Sequence, residues 1–579
     1  MRRTIAPSRL TIAGATFARA GGGTVPRERP YRVLPSPWSV LMTVAVASLG
    51  SCAADSSSPR VSDPSGDTAT ASASVPKHVS TGATTYYVRV DGGDARQCTG
   101  KADAAYGGDS MACAWKHPFF AMPPAGPMRL AGGDTLVIGS GSYMIGPGAP
   151  GAGSCADREC FLPPVPSGRT PAARTRVLGQ SCSAAPKLWG SGGIPRVLNL
   201  EGSSNVEIGC LEITDQHDCV YKHSSASANC PRAGTEAWAQ VGLFASGSRS
   251  VWLHDLHIHG LAAQGVRAGG LADWTVERVK LIANGRSGWD GNVGNTGSSN
   301  SGRIVLRDVE IAWNGCGERW RTGEPWACWA QQTGGYGDGL GTTHTGGQWL
   351  IEDAHIHHNT SDGLDLRYMD GAAETTVVMR RVHAAANAGN QIKVRGNSTI
   401  ENSLIVGNCG YFSGRHFMAE GDQCRAGGNA IQLVLTSDAS ATVRHNTITG
   451  EGGVLIGMGE GDDTARVAIQ NNVLIGFPSF RKPGVLSSVH YANNAPAAVN
   501  WAGNLVWNVK NGKCPSGSIC GKHPKLANMS LAGFDPEPLR GSPVVDRVPA
   551  ARGVTRDFRG SLRPADGTAD IGAIEARAR

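Results

Sequence analysis

The chain has 579 residues, among them 79 glycines, with 6% aromatic and 17% charged residues. So glycine-rich and aromatic-poor a sequence excludes a helical protein, and one long solenoid of short strands and tight turns suits it better than three or four ordinary domains. The formal charge of +7 is local, because residues 1–51 hold seven arginines against one acid, Glu28; the near-neutral remainder excludes a global basic field for nucleic acid.

Residues 38–48 form an apolar stretch after that basic region, too short for a comfortable membrane span. They run directly into Leu49-Gly50-Ser51-Cys52. The junction resembles a bacterial lipoprotein signal with its lipobox. That resemblance implies cleavage before Cys52, a lipid on that cysteine, and export to the outer membrane or cell surface, with the lipid as the sole membrane contact. An ordinary secretory signal, with Cys52 incidental and the protein released, is the alternative. Residues 1–51 are thus expected to be signal peptide, and the basic region is long enough to place the true start codon downstream of Met1. Residues 52–84, rich in Ser, Thr, Ala and Pro, are expected to be a disordered tether.

Setting Cys52 aside leaves 14 of the 15 cysteines, an even number. Most lie in close pairs, 98/113, 155/160, 219/230, 316/328, 409/424 and 514/520, with 182/210 left over. Loop-pinning disulfides in an oxidising compartment fit this spacing, whereas a zinc site would call for a Cys-x-x-Cys pair that the chain lacks.

Order is expected to start at residues 85–90, an alternating strand, followed by a short helix around residues 114–118 and a strand at 133–138. Similar strands recur at 251–255, 274–278, 304–308, 349–353, 377–381, 398–402, 442–446 and 467–471, most followed by a second short strand and an Asn or Gly turn. One coil per roughly 21 to 30 residues is the repeat of an all-β, right-handed parallel β-helix over residues 85–520, in which stacking supplies the core that no single coil can bury. The gaps at 314–337 and 408–429 are loops thrown out near the candidate site. Residues 521–579 are expected to cap the open end, because a bare strand edge invites mispairing.

Three segments exchange acids for a base along this repeat: Gly337-Asp338-Gly339-Leu340-Gly341, Ser361-Asp362-Gly363-Leu364-Asp365 and Gly389-Asn390-Gln391-Ile392-Lys393. Asp338, Asp362 and Asn390 fall in one column, and Gly341, Asp365 and Lys393 in the column three residues on. Stacked strands lie ~4.8 Å apart, so three carboxylates would converge beside one lysine. Such a cluster is stable around a hard cation, and a lysine beside a cation is disfavoured in its charged form, which suits proton abstraction. Asp362 and Asp365 are three apart, so a bend at Gly363 is required for both to reach one ion.

These segments resemble polysaccharide lyase family nine, the calcium-dependent pectate lyases built on a right-handed β-helix. The family's Asp-Gly-Phe segment matches at Asp338, the last two acids of its Asp-Asp-Gly-Phe-Asp segment at Asp362 and Asp365, and the base of its Gly-Phe-Lys segment at Lys393. The resemblance implies calcium held by Asp338, Asp362 and Asp365, Lys393 as catalytic base, and an acidic uronate polysaccharide as substrate, cleaved by β-elimination. It departs at Ser361, which replaces the first acid of the family's doubled pair.

The competing account of the same column is a polar ladder, which Asn390 and Asn429 fit well. Arg367 and Arg395, two residues past the Asp365 and Lys393 positions, could hold substrate carboxylates. Asp290 joins the Asp365 column if Asn284 is matched to Asn359. His254, His257 and His259, and His355, His357 and His358, invite a metal reading, but alternation is expected to spread them over both faces of different coils as surface or turn residues; His344 and His383 are the alternative bases. Segments typical of polygalacturonases or alginate epimerases are absent, and a non-catalytic carbohydrate-binding or adhesive β-helix, or a glycoside hydrolase, is the alternative function. A monomer without nucleic-acid partners is expected.

Overall fold

The computed structural model describes residues 83–579 except 109–110, 156, 219, 221–237, 294–298, 319–323, 326, 330–336, 343–344, 371–373, 421–423, 425–426, 478–488, 496, 511–512, 565–566 and 577–579. The signal peptide, Cys52 and nearly all of the tether lie outside the described residues, as do Cys219, Cys230 and His344. The first strand among the described residues is Thr85–Gly93, and the chain then winds as a right-handed parallel β-helix.

Its strands stack into three parallel ladders. The first runs from Thr85–Gly93 through Thr135–Ile138 and Thr175–Gly179 as far as Ala498–Ala502, and the second from Ser142–Ile145 through Lys187–Gly190 and Leu505–Trp507 to Ile519–Cys520. The third holds ten strands from Leu198–Asn199 to His490–Ala492. Alternation along each strand sends every second side chain inward, and the register stacks like on like. Leu136, Val177, Ile208, Leu253, Val276, Leu306, Ile351, Met379, Ile400, Val443 and Ile469 form one such buried column.

Two corners turn the chain from one ladder to the next. Between the first and second ladders the backbone takes the left-handed conformation at Asp255, Arg278, Asp308, Asp353 and Arg381, with φ between 51° and 53°. Between the second and third, Ala283, Trp313, His358 and Ala386 do the same, and each precedes an asparagine. Those asparagines, Asn284, Asn314, Asn359 and Asn387, form a buried ladder in which each Nδ2 donates to the oxygen one coil on, at 3.0, 2.8 and 2.8 Å, and Gln391 Oε1 closes the series at 2.9 Å.

Among the described residues six disulfides form, 98–113, 155–160, 182–210, 316–328, 409–424 and 514–520, each between cysteines that the sequence brings together. The two long loops meet, with Cys328–Trp329 pairing parallel to Met418–Glu420, and Cys316, Phe412 and Phe417 pack with Trp313 at the second corner.

Three expectations change. The helix near the start is only a 3-10 turn, Pro118–Phe120, capped by His117 Nδ1 accepting from the Phe119 amide at 3.1 Å. The contacts of residues 521–579 run along the flank of the solenoid as a strap: Leu526, Val544, Val548, Ala569 and Ile571 cover Val473, Ile475 and Leu505, and Arg563 Nε donates to Asn402 Oδ1 at 2.9 Å. Finally, the histidines of each His-x-His pair, His257 with His259 and His355 with His357, share one outward face, because residues two apart on one strand point the same way.

Candidate functional site

The third ladder places the candidate residues. Register aligns Arg267, Asp290, Gly341, Asp365, Lys393, Gln432 and Gly457 in successive coils, so Asp365 and Lys393 are neighbours and Asp290 does lie in their column, two coils before Asp365. Asp338, Asp362, Asn390 and Asn429 line the turn just before these strands. Each of the first three offers a side-chain oxygen to the next coil's backbone: the Asp362 amide donates to Asp338 Oδ1 at 3.0 Å, the Asn390 amide to Asp362 Oδ1 at 2.6 Å, and the Asn429 amide to Asn390 Oδ1 at 3.1 Å. The polar ladder is therefore real, and it runs through the acids as well as the asparagines.

What sets the acids apart is the second oxygen. Lys393 Nζ donates to Asp362 Oδ2 and, at 2.9 Å, to Asp365 Oδ2. Asp365 Oδ1 is fixed by the Arg367 amide at 3.0 Å. Ser361, where the resemblance leads one to expect an acid, gives a hydroxyl hydrogen bond to Asp338. The expected bend at Gly363 is present, and it brings Asp362 and Asp365 onto the same ammonium. The glycine is required there by close packing: a Cβ would meet Asn387 Nδ2 at 2.5 Å. Gly265, Gly288 and Gly339 sit against the same asparagine ladder one after another.

Burial and mutual repulsion dominate the electrostatics. Burial, then the charges of Asp362 and Asp365, push the Asp338 carboxyl up to about 7. Burial followed by Asp362 raises Asp365 too, whereas for Asp362 the effect of burial is overcome by Lys393 and Asn390, and the carboxyl is held below its ordinary value. For Lys393, burial is outweighed by Asp362 and Asp365, so its ammonium is stabilised. The expectation of a lysine biased towards its neutral form is corrected accordingly for the cation-free site: two carboxylates in direct contact favour the charge.

Asp362 and Asp365 contact the one ammonium, Asp338 stands beside them, and a Cβ at Gly341 would lie 3.0 Å from Asp338 Oδ2, so a side chain there would crowd the carboxylate. Asp338, Asp362 and Asp365 are the residues that would hold a hard cation.

Arg367 and Arg395 come together at the rim, but on a partner that sequence reasoning missed. Arg395 Nη1 donates to Glu460 Oε2 at 2.6 Å, and Arg367 Nη2 lies 3.7 Å from Glu460 Oε1. Glu460 ends the strand Val454–Glu460 and is 65 residues from Arg395, so only the coil count could have paired them. Of the alternative bases, His383 is half-buried on the second ladder against His355, away from the Asp365 and Lys393 column.

The profile described as a right-handed β-helix region matches residues 241–431, which contain the whole acid and lysine cluster. No curated protein matches the chain by sequence. Among solved structures the chain is similar to pectate lyase Pel9A, at 13% identity and a TM-score of 0.42 over 85% of this chain and 96% of that one. It is also similar to the A-module of the mannuronan C-5 epimerase AlgE4 of Azotobacter vinelandii, at 12% identity and a TM-score of 0.38 over 67% of this chain and 91% of that one. An alginate lyase from Paenibacillus sp. str. FPU-7 is similar at 13% identity and a TM-score of 0.32, over 64% of this chain and 93% of that one. At these identities the likeness is one of fold.

Proposed function

We propose that the chain is a polysaccharide lyase that cleaves a uronate polymer by calcium-assisted β-elimination, with Lys393 as the base. The observation that carries this reading is the convergence of Asp362 and Asp365 on Lys393 Nζ, with Asp338 beside them. Calcium bound by the three acids would neutralise the substrate's carboxylate and stabilise the charge that develops next to it.

The chain's own residues supply the rest. The ladder bonds on Asp338 Oδ1 and Asp362 Oδ1, and the Arg367 amide on Asp365 Oδ1, lock all three carboxylates with their other oxygens turned inward. Asp362 and Asp365 cannot serve a cation and the Lys393 ammonium fully at once. With a cation held by these two carboxylates, Lys393 would be free to release its ammonium proton to water; the neutral amine would then take the proton on carbon 5 of the uronate, and as the double bond between carbons 4 and 5 forms the bond to the leaving oxygen breaks, that oxygen taking a proton from water. Arg367 and Arg395 would meet a substrate carboxylate at a neighbouring subsite, exchanging Glu460 for it.

A glycoside hydrolase is the second reading. The split between Asp338, pushed up to about 7, and Asp362, held below its ordinary value, favours it, since acid and base pairs are built that way. Six disulfides support export to an oxidising compartment, and anchoring through Cys52 completes the proposed location, testable by fatty-acid labelling. Titration calorimetry tests the cation requirement. Calcium should bind the parent protein, alone or with substrate, and Asp362→Ala should weaken it sharply while the fold persists; absence of binding in the parent would end the calcium reading.

A further inference from the structure

The second ladder carries a polar column that the proposed reaction does not use. In register it runs Glu212, His257, Lys280, Glu310, His355, His383. A glutamate followed one coil later by His-x-His occurs twice, as Glu212 with His257 and His259, and as Glu310 with His355 and His357. In the first set His259 is closed off between two acids, with Glu212 Oε1 at 3.2 Å and Glu318 Oε1 at 2.5 Å. The second set is composed differently. There Glu310 faces three imidazoles: His355 and His357 have ring centroids 3.8 Å apart, and His383 stacks on His355 at 4.7 Å and 4°.

We propose that Glu310, His355 and His357 form a site for a divalent transition-metal ion of the zinc class, separate from the acidic cluster. One ligand atom from each lies within 4.8 Å of the others. Zinc bonds of 2.0 to 2.2 Å at tetrahedral angles place neighbouring ligand atoms about 3.4 Å apart. His357 Nε2 and Glu310 Oε1 already stand at 3.4 Å. The other nitrogen of His357 is engaged as metal-bound histidines require: Nδ1 meets His358 Nδ1 at 2.7 Å, and His358 lies flat on Trp313 at 4.3 Å and 8°.

Two imidazoles and one carboxylate select a borderline ion over calcium, which takes oxygen alone. A groove of about 740 Å³, bounded by His355, His357, His383, Tyr411 and Phe534 of the strap, offers a route in and room for remaining ligands. Lys280 Nζ holds the other oxygen of Glu310 at 2.8 Å, but its side chain is 56% exposed and free to turn to solvent.

Zinc and cobalt(II) titrated into the purified, calcium-free full chain test the site. The expected result is one equivalent bound, with the visible cobalt absorption of a nitrogen-ligated centre. His355→Gln and His357→Gln should each weaken binding by at least about tenfold, while Asp362→Ala and His259→Gln leave it unchanged. All the substituted groups project outward, so folding is expected to persist and is checked by circular dichroism; Glu310→Gln is the substitute should either histidine variant misfold. No binding by the parent, equal affinity in the histidine variants, or loss of binding in Asp362→Ala would each overturn the proposal.

Discussion

Two polar ladders run side by side through this solenoid and do the same structural job with different consequences. In the asparagine ladder, Asn314 accepts from the Asn284 amide and Nδ2, and its own Nδ2 donates to Asn359 Oδ1 and to the Leu281 carbonyl, so every polar atom of the side chain is used. In the acidic ladder, Asp338 and Asp362 still use Oδ1 to accept a backbone amide, but a carboxylate has no Nδ2 to donate. The second oxygen therefore carries charge into the space shared with Asp365 and Lys393. One atom changes from donor to anion, and a structural ladder becomes a place for chemistry.

The largest effect that can break this comparison is on turnover. Lys393→Arg keeps a cation against Asp362 and Asp365 but removes the possibility of a neutral base, since a guanidinium stays protonated at workable pH. Turnover should fall about 10²- to 10⁴-fold with substrate binding retained, and a loss under about tenfold would remove Lys393 from the role of base. Rate measured against pH should rise on the alkaline side in the parent enzyme.

Exchanging the two ladders' residues comes next. Asp362→Asn restores an amide to the acidic ladder and leaves Lys393 on Asp365, so thermal unfolding should move less than in the exchange of the neutral ladder while calcium binding and activity are lost. Asn359→Asp puts an unpaired charge into the neutral ladder, where Asn359 is fully buried, and should cost on the order of 3 kcal/mol in denaturant unfolding. Equal losses of stability in both variants would mean that the ladders do not differ as described.

The smallest effect is the pH dependence of stability. Asp338 is raised from 3.8 to about 7, so between those values the folded state binds the proton more tightly than the unfolded chain and stability should fall as pH rises across that window. Asp362 is depressed, and its contribution is present above its unfolded pKa and lost as acid protonates it. Chemical unfolding of the calcium-free protein from pH 4 to 7 should show the decline, and Asp338→Asn should flatten it.

The sequence displays the acidic column unusually well, because glycines packed against a ladder recur at fixed places and mark where each coil turns. That is why Asp338, Asp362, Asp365 and Lys393 could be aligned from spacing, and why matching Asn284 to Asn359 puts Asp290 in its observed column. Position along a coil was harder to see than position between coils. A left-handed residue such as Asp255 shifts the phase between the strands on either side of it, so that His254 and His257, three apart, both lie outside the core, and a period-two pattern read straight through the corner does not announce it. Long-range partners were invisible for a different reason. Glu460 reaches Arg395, and Arg563 reaches Asn402, only because a rim residue and a returning strap pass close by, and neither contact leaves a repeat in the sequence.

The central claim is that the charged ladder performs a cation-dependent elimination, and ultraviolet absorbance of unsaturated sugar ends measures that reaction directly. On a panel of uronate polysaccharides, the parent protein should generate the absorbance with calcium, lose it on chelation, and regain it when calcium returns, while Asp362→Asn generates none. Release of reducing ends without that absorbance, or absorbance indifferent to calcium, would contradict the account.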